Sequence, residues 1–206
     1  MALTIDELRN GIKLWRSKKK WPQDFHNTFY EHDLAVARSD GLFNDQWWNR
    51  FYPTLRDWVA TRPKSRAFLT ERARERFPAL SERWAIAVAP HLDKDIAGLE
   101  WRQIAPFPLL VVEIKPLKVP KPVFTAKFCH FLAPQIFPVI DTEAMGSPFS
   151  TYGEYFEAAR SEWLETNAAI QDRIIALLTD EVGAPLFSGF AMKSKLIEIC
   201  IIGRYR

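Results

Sequence analysis

Lys127 and Asp141 are the two residues whose types and spacing best fit a catalytic pair. On a helix that starts at Pro122, Lys127 and His130 lie three residues apart on the edge of an apolar stripe. The stem of Lys127 is then near the core and its amine near the rim. Asp141 follows the apolar connection FPVI and directly precedes a candidate helix, where helix-end amides favour an ionised carboxylate.

A partly desolvated lysine and an oriented carboxylate suit Schiff-base or general-base chemistry on an electrophilic sugar carbon. Lys127 and Asp141 are therefore the candidate catalytic residues. The structural alternative stays open: Lys127 extends its amine along apolar neighbours to solvent, and Asp141 is only an N-cap.

The common cofactor and metal motifs are absent from the sequence. It contains no phosphate-binding glycine loop, no dinucleotide fingerprint, no HExxH and no cysteine pair at metal spacing. His26 and His32 are six residues apart and do not share a helical face. We therefore expect neither a metal nor a cofactor.

Positive charge is concentrated in a few segments, although the net charge is only +3. One is the run Lys18, Lys19 and Lys20, and a second, diluted by glutamates, spans residues 62–76. The third contains Lys115, Lys118, Lys121 and Lys127, and no acidic residue lies between Glu113 and Asp141. This segment predicts contacts with the phosphates of duplex DNA by Lys115, Lys118, Lys121 and the nearby His130. A solvated face is the alternative for each segment.

Length and composition predict one soluble domain over residues 1–206. An arrangement of this domain as two lobes is the alternative. An apolar fraction of 48% with 26% charged residues is ordinary for a folded protein. Cys129 and Cys200 both lie in apolar runs, which is typical of reduced core thiols. The start of the chain lacks the apolar region of a signal peptide, and no stretch is long enough to span a membrane. We expect a cytoplasmic protein that does not contact membranes; the oligomeric state is not predicted.

Helical periodicity and capping signals predict an all-α fold. Capping boxes occur at Thr4 with Glu7 and at Thr151 with Glu154, and Asn167 is a further N-cap. Prolines predict a kink or break at Pro53 and the start of a helix at Pro122. The predicted helices begin near Thr4, Asn44, Thr151 and Asn167, and others cover about 24–37, 66–76, 81–91, 108–114, 122–133 and 192–202.

The order of helix, hairpin, helix, edge lysine, proline-bearing connection and aspartate resembles the core of the helix-hairpin-helix DNA glycosylase superfamily. The segment TAKFCHFLAPQIFPVID in particular resembles uncharacterised bacterial proteins with that core. The resemblance covers about residues 100–145 and implies a compact, glycosylase-like multi-helix domain. It also implies that Lys127 attacks the sugar anomeric carbon and that Asp141 assists base loss in DNA repair. The hairpin here, LKVPKP, contains two prolines and no glycine.

Two hypotheses about function follow. In the first, an extruded base enters a pocket lined by aromatic residues such as Trp47, Trp48 or Trp101 and is cut from its sugar. In the second, the fold carries out no chemistry, and its surface binds nucleic acid or a protein partner. The feature that discriminates between these two hypotheses is whether Lys127 and Asp141 converge on one open cleft.

Overall fold

The fold is built from helices. The computed structural model describes residues 1–17, 28–39, 41–117, 122–140, 149–182 and 189–206, and these residues contain no β-strand. The α-helices are α1 (Ile5–Ser17), α2 (Thr28–Ala37), α3 (Asp45–Asp57), α4 (Arg66–Ala87), α5 (Trp101–Ile104), α6 (Pro106–Val112), α7 (Val123–Leu132), α8 (Tyr152–Glu165), α9 (Ala168–Val182) and α10 (Met192–Tyr205). Short 3₁₀ helices cover Ala89–His91 and Ile96–Gly98. The all-α prediction is confirmed for the described residues.

The predicted capping boxes form as expected. The backbone N–H of Thr4 donates to Glu7 at 2.9 Å, and that of Glu7 donates to the Thr4 hydroxyl at 3.2 Å. Thr151 and Glu154 repeat this exchange at the start of α8. Asn167 accepts from the N–H of Ile170 at 3.0 Å and begins α9. In each case a side chain satisfies an N–H that the first helical turn leaves unpaired.

Two prolines do not end the helices in which they lie. Pro53 is inside α3, and Pro78 is inside α4, which joins the two short helices predicted for residues 66–76 and 81–91 into one. An interior proline costs a helix about 3 kcal/mol. Phe77 and Leu80 are buried beside Pro78, and we attribute the continuous helix to their packing. The predicted break near Pro78 is therefore wrong, and so is a separate start at Ser81.

Helix α7 lies at the centre of an aromatic core. Every residue from Phe124 to Leu132 is buried, and α7 packs on α2, α3, α6 and α8. The Phe128 ring lies 5.2 Å from Phe51 and 6.0 Å from Trp47, in edge-to-face contacts that add to the burial of the rings. The sides of α7 therefore all contact other helices, which brings its polar side chains into the interior.

Helices α1 and α10 approach each other backbone to backbone. A Cβ added at Gly11 would overlap the carbonyl of Ile199, and one added at Gly203 would overlap the carbonyl of Glu7. Arg204 strengthens the contact, because its guanidinium binds Glu7 at 2.6 Å and Glu162 of α8 at 2.6 Å. The first and last described helices are thus joined directly.

No helix in the described ranges is both long and apolar enough to span a membrane.

Candidate functional site

Lys127 projects from the middle of α7 into the turn after α3. Its side chain is 5% exposed, and its amine donates a 2.7 Å hydrogen bond to the carbonyl of Trp58. Trp58 is the residue that caps the C-terminus of α3, where the carbonyls of the last turn carry partial negative charge. A cation is favoured at this place. The stem of Lys127 lies near the core, as predicted, but its amine lies deeper than the predicted position near the rim.

Lys115 binds the same turn two residues further on. It is 8% exposed, its amine donates to the carbonyl of Ala60, and it lies 5.5 Å from the centre of the Phe124 ring. Between the two carbonyls, Val59 has a φ of +59°, which is a strained conformation for a β-branched residue. Lys115 and Lys127 therefore hold the carbonyls on both sides of a strained residue.

His130 is buried in a chain of hydrogen bonds. It is 1% exposed, and its Nδ1 lies 2.7 Å from the carbonyl of Phe137, which can only accept. Nδ1 therefore carries the proton, and Nε2 accepts from the hydroxyl of Tyr30. Burial, together with the charge of Lys195, lowers the pKa of His130 to about 3, although the bond to Phe137 opposes the shift. His130 is thus neutral at physiological pH.

The connection that leaves α7 toward Asp141 is held by buried side chains. The carbonyls of Phe137, Pro138 and Val139 accept from His130, Tyr152 and Tyr155 respectively; the two tyrosine bonds are 2.9 and 2.7 Å long. A buried extended segment without a strand partner needs such donors for its carbonyls. Burial raises the pKa of both tyrosines, so the hydroxyls stay protonated donors. The chain is fixed up to Ile140, directly before Asp141.

Three predicted site residues, Asp141, Lys118 and Lys121, lie outside the described residues. Lys115, Lys127 and His130 are described, and all three have buried side chains.

The tryptophans proposed as a pocket lining have other roles. Trp47 and Trp48 are 0% exposed and belong to the aromatic core, so they do not line an open pocket. Trp101 is half-buried and packs edge-on against Tyr152. The sequence pattern could not separate these cases, because aromatic residues at helical spacing fit a core and a pocket equally well.

A buried charged cluster on α10 is not among the residues predicted from the sequence. On α10 the Lys195 amine lies 2.7 Å from Glu198, and both side chains are 4% exposed. The rings of Trp15 and Tyr30 lie 5.0 and 5.5 Å from the same amine. Opposite charges three residues apart are usual on an exposed helix face, which explains the omission. The signal was the surrounding run LIEICII, which is apolar on every side.

A second buried carboxylate, Asp33, was missed as well. It accepts from the Thr54 hydroxyl at 3.1 Å and from the Trp58 indole at 2.6 Å. Burial raises its pKa, although both hydrogen bonds oppose the shift. Asp33 binds the indole of Trp58 and Lys127 binds its carbonyl, and together they position the turn at the end of α3.

No protein-family model, no curated protein and no solved structure matches the chain.

Proposed function

We propose that this protein binds duplex DNA through a basic surface made of Arg62, Lys64 and Arg66 and the segment that continues from Lys115. The observation that carries the proposal is the hydrogen bond from the Lys115 amine to the carbonyl of Ala60. It joins two basic stretches that are about fifty residues apart in sequence. Lys115 therefore lies beside the stretch that begins at Arg62, and Lys118 and Lys121 follow it in the sequence.

The cations of residues 62–66 differ in their ion-pair partners from those further along α4. Arg62 and Arg66 are exposed and Lys64 is half-buried, and none has a carboxylate within ion-pair distance in the described ranges. Arg66 stacks 5.2 Å from the centre of the Tyr52 ring and binds Asn49, which orients its guanidinium. Phosphate oxygens are suitable partners for such cations, and their neutralisation releases counterions from DNA.

By contrast, the arginines that follow Arg66 in the first half of α4 have acidic partners within the protein. Arg72 binds Glu75, Arg74 binds Asp45, and Arg76 binds Glu113. We therefore assign these three arginines to the fold and not to the DNA surface. The burial of Lys115 and His130 likewise supports positioning roles for them, with phosphate contacts made by the exposed Arg62 and Arg66.

Reversing the charge of Arg62 and Arg66 together should weaken binding to any duplex about tenfold or more at low salt, regardless of sequence. The slope of log K against log salt concentration should decrease by about 2, since two phosphate contacts are lost. Fluorescence anisotropy with a labelled 25-base-pair duplex measures both quantities. Arg173→Glu is the matched control, because Arg173 is an exposed arginine on α9, which packs on α1 and α10.

The control variant should bind as the wild type does. Equal loss of affinity in Arg173→Glu and in the double variant would show general charge repulsion and would contradict this surface. Unchanged binding in the double variant would contradict it too, as would binding that does not depend on salt.

A second candidate function is base excision. The connection that leads from α7 toward Asp141 favours it, because buried side chains bind the carbonyls of this connection. Catalytic groups need a rigid supporting structure, and three buried side chains fix the backbone up to Ile140. In this proposal the Lys127 ammonium leaves the carbonyl of Trp58, gives up one proton to solvent, and attacks the anomeric carbon as a neutral amine. The glycosidic bond breaks, and the base departs with the bonding electrons and takes up one proton from the nitrogen. The second proton of the nitrogen passes to the ring oxygen as the sugar opens, so that the lysine becomes an imine of the opened sugar. Asp141 would stabilise the positive charge that develops on the sugar.

If Lys127 is this nucleophile, borohydride should reduce the imine and trap a covalent adduct between protein and damaged duplex DNA. Lys127→Ala should give no adduct, and Asp141→Asn should release no base. Lys115→Ala is the matched control, because it also removes a buried amine from a backbone carbonyl. Denaturing gel electrophoresis with a panel of damaged duplexes measures both steps.

An adduct that persists in Lys127→Ala would contradict the role of Lys127. Salt-dependent DNA binding without base release or adduct on the whole panel would leave the binding function and remove the catalytic one.

A further inference from the structure

A cleft of about 430 Å³ lies where the ends of α2, α4 and α7 meet. This is within the usual size range of small-molecule sites. Apolar side chains form most of its wall: Leu42, Leu92 and Leu132, together with the indole of Trp84. None of the residues used by the proposed DNA surface or by the proposed excision chemistry lines it. The cleft is therefore a separate feature of the molecule.

The Trp84 ring is held firmly at this wall. It packs edge-on against Phe107 at 5.3 Å and against Phe43 at 6.1 Å between ring centres. These contacts fix the orientation of the indole while part of it stays accessible from the cleft. A fixed indole is a suitable surface for stacking a planar ring.

Arg38 supplies the positive charge of the cleft. It follows directly after α2, and no carboxylate lies within ion-pair distance of it in the part of the chain that the structure describes. A Cβ at residue 189 would lie 3.1 Å from the Arg38 guanidinium, and glycine there leaves the space open. Burial lowers the pKa of Arg38, yet an arginine remains charged at neutral pH. The Arg38 side chain is exposed, so its guanidinium is accessible to an anion that enters the cleft.

Gln135 fixes the wall beside Arg38. Its side-chain amide donates to the carbonyl of Phe190 at 2.9 Å and to that of Gly189 at 3.4 Å. Gly189 has a φ of +93°, so glycine suits both the backbone conformation and the space for the guanidinium. The described residues of the cleft therefore provide a cation, a fixed aromatic ring and apolar walls.

We infer that this cleft binds a small planar aromatic anion, with the acidic group on Arg38 and the ring against Trp84. One cation selects a ligand with a single phosphate or carboxylate group, and the apolar wall selects the ring. The inference does not depend on the proposed DNA binding, since that surface uses Arg62 and Arg66.

Isothermal titration calorimetry with the full chain tests the inference on matched probes. Deoxyadenosine monophosphate and phenylacetate carry a ring and an anionic group, whereas deoxyadenosine and phenylacetamide lack the charge, and inorganic phosphate lacks the ring. At least one aromatic anion should bind at least tenfold more tightly than its neutral counterpart and than inorganic phosphate. Binding by only one of the two anions identifies which combination of ring and acidic group the site accepts.

Arg38→Met should weaken this binding about tenfold or more, because it keeps the apolar stem and removes the charge. Arg83→Met, at an exposed position next to Trp84 in sequence, should bind as the wild type does. Failure of both aromatic anions to bind would overturn the inference. Equal binding of charged and neutral probes would overturn it too, as would an unchanged affinity in Arg38→Met.

Discussion

Gly203→Ala should destabilise the protein by about 3 kcal/mol or more, although alanine is the better helix former. On propensity alone, the change in a helix interior would stabilise by about 1 kcal/mol. The structure reverses the sign, because the added methyl group would overlap the backbone of Glu7 and of Gly11. Backbone atoms cannot rotate away as a side chain can, so α1 and α10 would have to separate. Urea unfolding followed by circular dichroism measures the change.

The control for this prediction is Gly98→Ala. The atoms nearest to an added Cβ at Gly98 belong to Lys94 and are 3.8 Å or more away, so no overlap results. Its stability should change by less than about 1 kcal/mol. A Gly203→Ala protein as stable as the wild type would contradict the close contact of α1 and α10.

Glu198→Gln should destabilise the protein by about 3–5 kcal/mol, since it leaves the ammonium of Lys195 buried without its carboxylate. The substitution keeps the shape of the side chain, so the loss reports on charge rather than on packing. Combining it with Lys195→Met should recover much of the stability, because no unpaired ammonium remains. Urea unfolding of the two single variants and the double variant gives the coupling energy.

Glu75→Gln tests whether burial causes this effect. Glu75 pairs with Arg72 at the same three-residue spacing, but its side chain is 45% exposed. Exposed pairs of this kind contribute about 0–1 kcal/mol. Similar losses in the two glutamine variants, or no recovery in the double variant, would contradict the buried-pair interpretation.

Local signals predicted the helices well where the chemistry of a few neighbouring residues decides the outcome. Both capping boxes and the start of α7 after Pro122 could be predicted from residues within one turn. Pro78 could not, because the packing of Phe77 and Leu80 comes from residues distant in sequence. Tertiary packing outweighs a local preference at this position.

The candidate site likewise combines features that the local sequence predicts with features that depend on distant residues. The helical pattern placed the stem of Lys127 near the core and its amine near the rim, whereas the amine lies deeper, on a carbonyl at the end of α3. Its partner, the carbonyl of Trp58, belongs to another helix end and has no signature in the sequence. The bond between Lys115 and Ala60 was equally hidden, and it changes the interpretation of Lys115 from a phosphate ligand to a positioning residue. Arg38 also has no signature in the sequence, because a single arginine after a helix is common.

The contact between α1 and α10 also constrains how the chain folds during synthesis. α1 emerges from the ribosome before the helix that covers it, which follows only after all the residues between Ser17 and Met192. At about 5–20 residues per second, that interval is on the order of 10–35 s. Throughout it, Leu8 and Trp15 lack the neighbour that buries them in the finished fold. A nascent chain that stalls before α10 therefore presents this apolar face to chaperones and to other nascent chains, and cannot reach the native structure.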